Sequence, residues 1–291
     1  MTIVKFNKDK YLLPSSWDEM STKDLMTLSS LFLISKDRYG ILLKLALSIL
    51  GMRVALRYSL CAPDRLYFLR DSHNYSAPHY FIRKGFRKLY LVNAQQMAAL
   101  TNTLSYIFTE NTINPLLKIN PFPELRLCFY RRLIGPADGL TNITLAEFIT
   151  AEIEREAWEN RKSLYHMHRF LAVLWRPFST NHHEGDPRAP LNQDTIQSRS
   201  KQISRLKPEI KQLMVWFYMG CLSFLQQKFD KVFSTDEHSN TSSFDGFMNL
   251  VNLLAKEDLS KFENVRESPL YDALFNLQRK MEDFEKKKQQ K

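Results

Sequence analysis

Side chains that could bind a metal or transfer a proton cluster in two places in the sequence. His166 and His168 are separated by one residue, and residues 182–186 read HHEGD. Imidazole and carboxylate groups are common zinc ligands, but residues two apart on a regular helix point to different faces. The 182–186 segment could gather a metal, although adjacent histidines in a polar loop are more often solvated. We therefore predict no metal site.

The motifs of nucleophilic and phosphate chemistry are missing from the sequence. It contains no G-x-S-x-G, no G-x-x-x-x-G-K-[ST] and no G-x-G-x-x-G. Glu152 and Glu156 form an i, i+4 acidic pair, a spacing that usually lies on a solvated helix surface. We predict that the protein is not an enzyme and that it needs no cofactor.

Positive charge is concentrated in one part of the chain. Residues 38–132 hold 14 Lys and Arg against 4 Asp and Glu, which accounts for the whole net charge of +10. Residues 80–90, YFIRKGFRKLY, interleave these cations with aromatic rings. Cations could neutralise phosphates while rings stack on bases, as in proteins that bind single strands. The residues assigned to this contact are Arg83, Lys84, Phe86, Arg87, Lys88 and Tyr90.

Two other interpretations of the basic segment remain open. The segment could be a β-hairpin whose cations are solvated and whose aromatic rings face the core. It could also contact an acidic protein partner. Nucleic acid, possible anywhere within residues 38–132, is therefore an alternative to a role in protein contacts.

The clearest helix starts are two capping boxes. Ser21 with Asp24, and Thr144 with Glu147, have the spacing in which an N-cap side chain accepts from the third backbone amide. They predict helices over residues 21–35 and from residue 144 to the stop at Pro177. Further helices are predicted over residues 38–56, 95–108, 195–206, 209–229 and 244–255.

The pattern changes between residues 65 and 93. Aromatic and aliphatic runs at 66–69, 80–82 and 89–92, with a glycine turn between the last two, predict a small antiparallel sheet. Prolines between residues 115 and 136 exclude a long helix there and mark a candidate boundary. We predict a helical region with the basic insert over residues 1–135 and a helical domain over residues 136–291.

The last predicted helix carries an apolar seam with spacings of four and three. Such a seam is typical of a coiled coil, although it spans only about two heptads. It could bind a partner helix or pack against its own domain. The seam residues are Leu270, Leu274, Leu277, Met281 and Phe284.

Composition and apolar run lengths bound the class of protein. A chain with 44% hydrophobic and 25% charged residues is typical of a globular domain, and the patterns above predict an α+β fold that is predominantly α-helical. Three separated cysteines favour a reducing compartment. The longest apolar stretch is shorter than a membrane span, and no apolar signal segment follows the N-terminus. We predict a cytoplasmic protein without a membrane partner.

Several segments resemble tailed-bacteriophage and prophage proteins encoded among virion-structure and tail-assembly genes. None of the segments is a chemical motif, and the resemblance brings no catalytic residues. It implies contacts with other phage structural proteins, as a head or tail junction component of the virion or as a tail-assembly chaperone. The segments are LPSSWDEMS at 13–21, NPFP at 120–123, Tyr130 with GPADGL at 135–140, LAEF at 145–148, LWRP at 174–177 and DPR at 186–188.

Overall fold

The chain forms two compact units in the computed structural model, Met1–Pro115 and Leu116–Lys291. The structure describes residues 1–6, 9–54, 79–84, 88–109, 112–128, 131–180, 186–233 and 259–289. Helices predominate, and the strands form small antiparallel sheets, so the predicted fold class is confirmed. The division between the units falls earlier in the chain than the boundary we placed after residue 135.

In its described residues, the first unit combines three α-helices with three small sheets. The helices are α1 (Thr22–Ile34), α2 (Arg38–Ile49) and α3 (Ala94–Thr103). Strands β1 and β2 form one hairpin, β3, β4 and β5 form a three-stranded sheet, and β6 pairs with β7. The strands are Thr2–Phe6, Asp9–Leu13, Met52–Val54, His79–Lys84, Lys88–Asn93, Phe108–Thr109 and Thr112–Ile113.

Helix α1 begins where the capping box predicts. The Asp24 backbone N–H donates to Ser21 Oγ at 3.2 Å, which satisfies one of the amides that a helix start leaves unpaired. Helix α2 ends at Ile49, so the prediction that it reaches residue 56 is wrong. Gly51 has a φ of +63°, a conformation that glycine adopts without steric cost, and the chain turns there into β3.

The predicted basic hairpin is present as β4 and β5. Ile82 lies opposite Tyr90 in an antiparallel register, and both side chains are buried. The third strand of this sheet is β3, which pairs with β4. The strand predicted over residues 66–69 lies outside the described residues, as does the helix predicted over residues 244–255.

The second unit is mainly helical and carries one three-stranded sheet in the order β10-β9-β8. These strands are β8 (Glu124–Cys128), β9 (Arg131–Ile134) and β10 (Arg176–Pro177). The helices are α4 (Leu145–Arg161), α5 (Leu164–Leu174), α6 (Gln193–Ser204), α7 (Pro208–Lys228), α8 (Asp230–Phe233), α9 (Leu259–Arg266) and α10 (Leu270–Gln289).

Helix α4 starts as predicted but ends early. The Glu147 backbone N–H donates to Thr144 Oγ1 at 3.2 Å, which confirms the second capping box. The prediction of one helix continuing to Pro177 is wrong, because Lys162 takes a left-handed conformation with φ 52° and separates α4 from α5. This turn lets α4 and α5 pack side by side as a helical hairpin.

Helix α7 supplies much of the core of the second unit. Its buried residues include Trp216, Phe217 and Tyr218. Gly220 lets a neighbouring segment cross closely, since a Cβ atom at this position would lie 2.3 Å from the carbonyl oxygen of Leu117.

None of the helices in the described ranges is long and apolar enough to cross a membrane.

Candidate functional site

Tyr90, one of the rings assigned to base stacking, lies inside the first unit. Its side chain is buried, its hydroxyl donates to Asp9 Oδ2 at 2.6 Å, and it lies 2.8 Å from the hydroxyl of Tyr11. The hydrogen bonds to Asp9 and Tyr11, together with burial, raise the pKa of Tyr90 well above its usual value. A buried, hydrogen-bonded ring is not available to stack on a base, so we withdraw Tyr90 from the predicted contact.

The two hairpin cations whose side chains the structure describes, Arg83 and Lys84, lie on opposite faces of the sheet. Arg83 and Lys84 are consecutive residues of β4, and consecutive strand residues point to opposite faces of a sheet. The Lys84 ammonium lies 4.1 Å from the centre of the Tyr11 ring. Lys88 lies opposite Lys84 in the register, and Phe86 and Arg87 lie outside the described residues. The structure therefore separates the two cations that we had grouped.

A second basic surface lies on β8 and β9, outside the hairpin of residues 80–90. Arg126 and Arg132 are directly opposite each other, with side chains 86% and 47% exposed. Arg131 is also exposed, but it precedes Arg132 on the same strand and therefore points to the opposite face of the sheet. The Arg132 guanidinium lies 4.4 Å from the centre of the Phe178 ring, which is 43% exposed. We call Arg126, Arg132 and Phe178 the arginine sheet surface.

Cations face cations repeatedly across the strands of this protein. The register places Lys5 opposite Lys10, Arg53 opposite Arg83, Lys84 opposite Lys88, and Arg126 opposite Arg132. In the described strand pairs, no position joins two opposite charges. Like charges directly opposite each other destabilise a sheet unless something of opposite charge compensates them.

The apolar seam of the last helix lies largely in the core of the second unit. Leu270, Leu274 and Leu277 are at most 1% exposed. Met281 is partly exposed, and the side chain of Phe284 lies outside what the structure describes. The first part of the seam therefore packs within its own unit, while Phe275, on another face of the helix, is 63% exposed.

The histidines of α5 have separate partners. His166 Nδ1 lies 2.8 Å from Glu154 Oε2, whereas His168 Nε2 lies 3.3 Å from the ammonium of Lys211. Burial lowers the pKa of His168, and the charge of Lys211 lowers it further. In the part of the chain that the structure describes, no group of three His, Cys, Asp or Glu residues could hold a metal ion. His182, His183 and Glu184 lie outside that part.

Four charged side chains from distant segments meet at the start of α4, and we call them the arginine–carboxylate cluster: Glu147, Arg176, Asp186 and Arg188. Glu147 Oε1 accepts from Arg176 Nη2 at 2.6 Å, and Glu147 Oε2 accepts from Arg188 Nη2 at 3.0 Å. Glu147 and both arginines are at most 4% exposed. Strand β10 supplies Arg176, and the segment before α6 supplies Asp186 and Arg188.

Arg188 is the most highly connected member of the cluster. Its guanidinium donates to both carboxylate oxygens of Asp186 at 2.9 and 2.8 Å, and to the backbone carbonyls of Leu174 and Asn142. Burial alone would raise the pKa of Asp186, but the hydrogen bonds and charge of Arg188, assisted by Arg176, lower it. Arg188 thus ties the residue 186–188 segment to both α4 and α5.

A third buried arginine, Arg199 of α6, has no carboxylate partner among the described residues. Its Nε donates to the Ala172 carbonyl at 3.0 Å and its Nη1 to Thr195 Oγ1 at 2.6 Å. Burial and the nearby charge of Arg176 lower the pKa of Arg199 to about 10. Arg199 Nη2 and two nitrogens of Arg176 are buried without an acceptor in the described ranges.

A cavity of about 710 Å³ opens on the cluster, and Glu263, Arg266 and Glu267 contribute to its far wall. Both oxygens of Glu147, like both of Asp186, accept from arginine, so neither carboxylate is placed to remove a proton from a substrate. The arrangement is suited to holding segments together. It does not have the geometry of general acid–base chemistry.

Several segments that carry the phage resemblance converge near this cluster. Glu147 comes from LAEF, Arg176 from LWRP, and Asp186 with Arg188 from DPR. Trp175 Nε1 donates at 3.0 Å to the carbonyl of Phe122, which belongs to NPFP. Gly135 of GPADGL packs here too, because a Cβ atom at this position would lie 2.5 Å from Trp175 Nε1. These segments, which are separate in the sequence, therefore lie close together within the second unit.

An apolar corner is exposed in the first unit, where α1 turns into α2. The last three residues of α1, Phe32, Leu33 and Ile34, are 36%, 46% and 81% exposed, and Tyr39 in the first turn of α2 is 48% exposed. Lys36, also exposed, lies in the turn between the helices. Clustered exposed apolar side chains of this kind typically mark protein contacts. We call Phe32, Leu33, Ile34 and Tyr39 the α1–α2 corner.

Comparisons with known proteins identify no relative of this chain. Neither a protein-family model, nor a curated protein, nor a solved structure matches it significantly.

Proposed function

We propose that this protein is a non-enzymatic structural or assembly protein that acts through protein–protein contacts. The observation that carries the proposal is the α1–α2 corner. Ile34, at 81% exposed, ends a helix whose opposite face holds the buried residues Leu25 and Leu28. A helix that is apolar on the face toward its core and also on the face toward solvent has a second apolar surface, which contact with another protein would bury.

The resemblance to phage proteins supplies the setting of the proposal. The protein would act in the host cytoplasm, as a tail-assembly chaperone or as a component of a head or tail junction in the virion. Its partners would be other phage structural proteins. The arginine–carboxylate cluster supports a scaffold role, because its charges are used to hold α4, β10 and the segment before α6 together.

The test is co-purification from cells that produce the phage. The variant that combines Leu33→Glu and Ile34→Glu places negative charge on the α1–α2 corner, and neither of the replaced residues is buried. The matched control is Leu164→Glu with Phe275→Glu, which makes the same change at two exposed positions of the second unit. We expect wild type and control to retain a phage structural protein and the corner variant to lose it. A strictly monomeric wild-type chain, with no phage partner, would contradict the proposal.

A nucleic-acid-binding module based on the 80–90 hairpin is the second candidate function. The observation that favours it is the cationic pairing of Arg53 with Arg83 and of Lys84 with Lys88. Reversing the charge of Arg83, Lys84, Arg87 and Lys88 should weaken binding and flatten its dependence on salt. If affinity and salt dependence are both unchanged, the hairpin does not bind nucleic acid.

A further inference from the structure

We infer that the arginine sheet surface in the second unit binds single-stranded nucleic acid. The inference does not depend on the proposed protein contacts, which concern the first unit. It also differs from the hairpin hypothesis, because none of its three residues belongs to residues 80–90.

The charge of the surface favours an anionic ligand. Arg126 and Arg132 face each other across β8 and β9. The nearby anion is Glu124, which is 3.3 Å from Arg126 and 3.5 Å from Arg132. One carboxylate shared by two arginines leaves a surplus of one positive charge, so the surface complements an anion.

The second argument is the aromatic ring beneath one of the cations. The Phe178 ring is 43% exposed, and the Arg132 guanidinium lies over it at 4.4 Å. A guanidinium held flat by a ring offers a planar surface on which an unpaired base can stack, while its N–H groups donate to phosphate. An acidic peptide would use the charge but has no need of the ring. This combination favours nucleic acid with exposed bases.

The third argument is access. Strand β8 is the edge of the sheet β10-β9-β8, so the described chain places no further strand beside it. Arg126, the most exposed cation of the surface, lies on this edge strand. An extended strand of nucleic acid that enters at this edge and crosses the sheet from β8 toward β10 can therefore meet Arg126, Arg132 and Phe178 in turn.

The experiment is fluorescence anisotropy with a labelled oligothymidylate of about 20 nucleotides, longer than the usual site of a single small domain. A duplex of the same length and poly-glutamate serve as comparison ligands. The main variant reverses Arg126 and Arg132 to Glu in the full chain. The control reverses Lys201 and Arg205 to Glu, two exposed cations of the same unit, and makes the same change in charge.

We expect the arginine variant to weaken oligothymidylate binding at least tenfold at low salt and the control to weaken it far less. The log–log salt slope should fall by about 1.4, since the two arginines would neutralise two phosphates and each neutralised phosphate of a single strand contributes about 0.7. Phe178→Leu should weaken binding of the single strand severalfold and leave binding of the duplex unchanged, because paired bases are not available for stacking.

Three results would overturn the inference. In the first, the arginine variant binds like wild type or only as weakly as the control. In the second, charge reversal at Arg83 and Lys84 abolishes binding while the arginine variant keeps it, which would assign binding to the hairpin. In the third, poly-glutamate binds as tightly as the oligonucleotide and Phe178→Leu has no effect, which would assign the surface to an acidic protein. Circular dichroism confirms that each variant is folded.

Discussion

Glu147 Oε2 lies 3.0 Å from Arg188 Nη2, joining residues 41 positions apart in a site where both side chains are at most 5% exposed. With Arg176 on the other oxygen of Glu147, this contact determines how α4, β10 and the segment before α6 pack. We expect it to control the stability of the second unit.

Replacing Glu147 by Gln removes one of the two carboxylate charges that balance the buried guanidinium groups of Arg176 and Arg188. Leaving a buried charge uncompensated typically costs about 3 to 5 kcal/mol. We therefore expect the free energy of unfolding in urea to fall by roughly that amount. Glu263→Gln is the control, since its side chain is 69% exposed and its contact with Arg266 is 3.4 Å long. If the two variants are equally stable, the cluster does not hold the unit together.

The stability of the second unit should depend on pH through Asp186. Arg188 and Arg176 lower its folded-state pKa, so its contribution is complete above the unfolded-state pKa of about 3.9. The contribution is lost as the pH falls through the lower, folded-state pKa. The difference in unfolding free energy between wild type and Asp186→Asn should be constant from neutral pH to about pH 5 and shrink below it. A difference that grows in acid would mean that the pKa of Asp186 is raised.

Truncating two adjacent residues of α10 should have very different effects on the free energy of unfolding. Leu274 is fully buried, so Leu274→Ala should lower the free energy of unfolding by about 2 to 5 kcal/mol. Phe275 is 63% exposed, and Phe275→Ala should change the free energy of unfolding by less than about 0.5 kcal/mol. Thermal or urea unfolding distinguishes them. The reverse order would show that the seam faces a partner rather than its own core.

Arg126 should be dispensable for folding. Replacing it by Thr removes the like-charge pair with Arg132 and introduces a residue that favours strands. The free energy of unfolding should therefore rise by up to about 1 kcal/mol. Arg155 is the contrasting position, because it donates to Glu152 at 2.8 Å and to Glu159 at 2.6 Å. Arg155→Thr should destabilise the protein. If both replacements lower the free energy of unfolding equally, Arg126 stabilises the fold as Arg155 does.

Local features were predictable from the sequence. The helix starts at Ser21 and Thr144 follow from side chains that cap amides three residues away, and the structure has both bonds. The separation of Arg83 from Lys84 could also have been predicted, because strand alternation alone requires it. The break at Lys162 could not, since neither glycine nor proline marks that turn.

Long-range features were beyond the sequence. Glu147, Arg176 and Arg188 are residue types normally found at surfaces, and nothing in their spacing indicates that they meet in a buried cluster. The arginine sheet surface depends on the register of β8 and β9 and on the position of Phe178, which is far away in the chain. Such juxtapositions require the fold.

Cross-linking from Ile34 is the sharpest test of the proposed contact between the α1–α2 corner and another protein. A photoreactive amino acid is placed at this position, and at Phe275 as the exposed control, in cells that assemble phage particles. Cross-linked products are identified by mass spectrometry. We expect a defined cross-link from position 34 to a phage structural protein and none from position 275. If position 34 gives no cross-link, or both positions give the same products, the corner does not bind a specific partner.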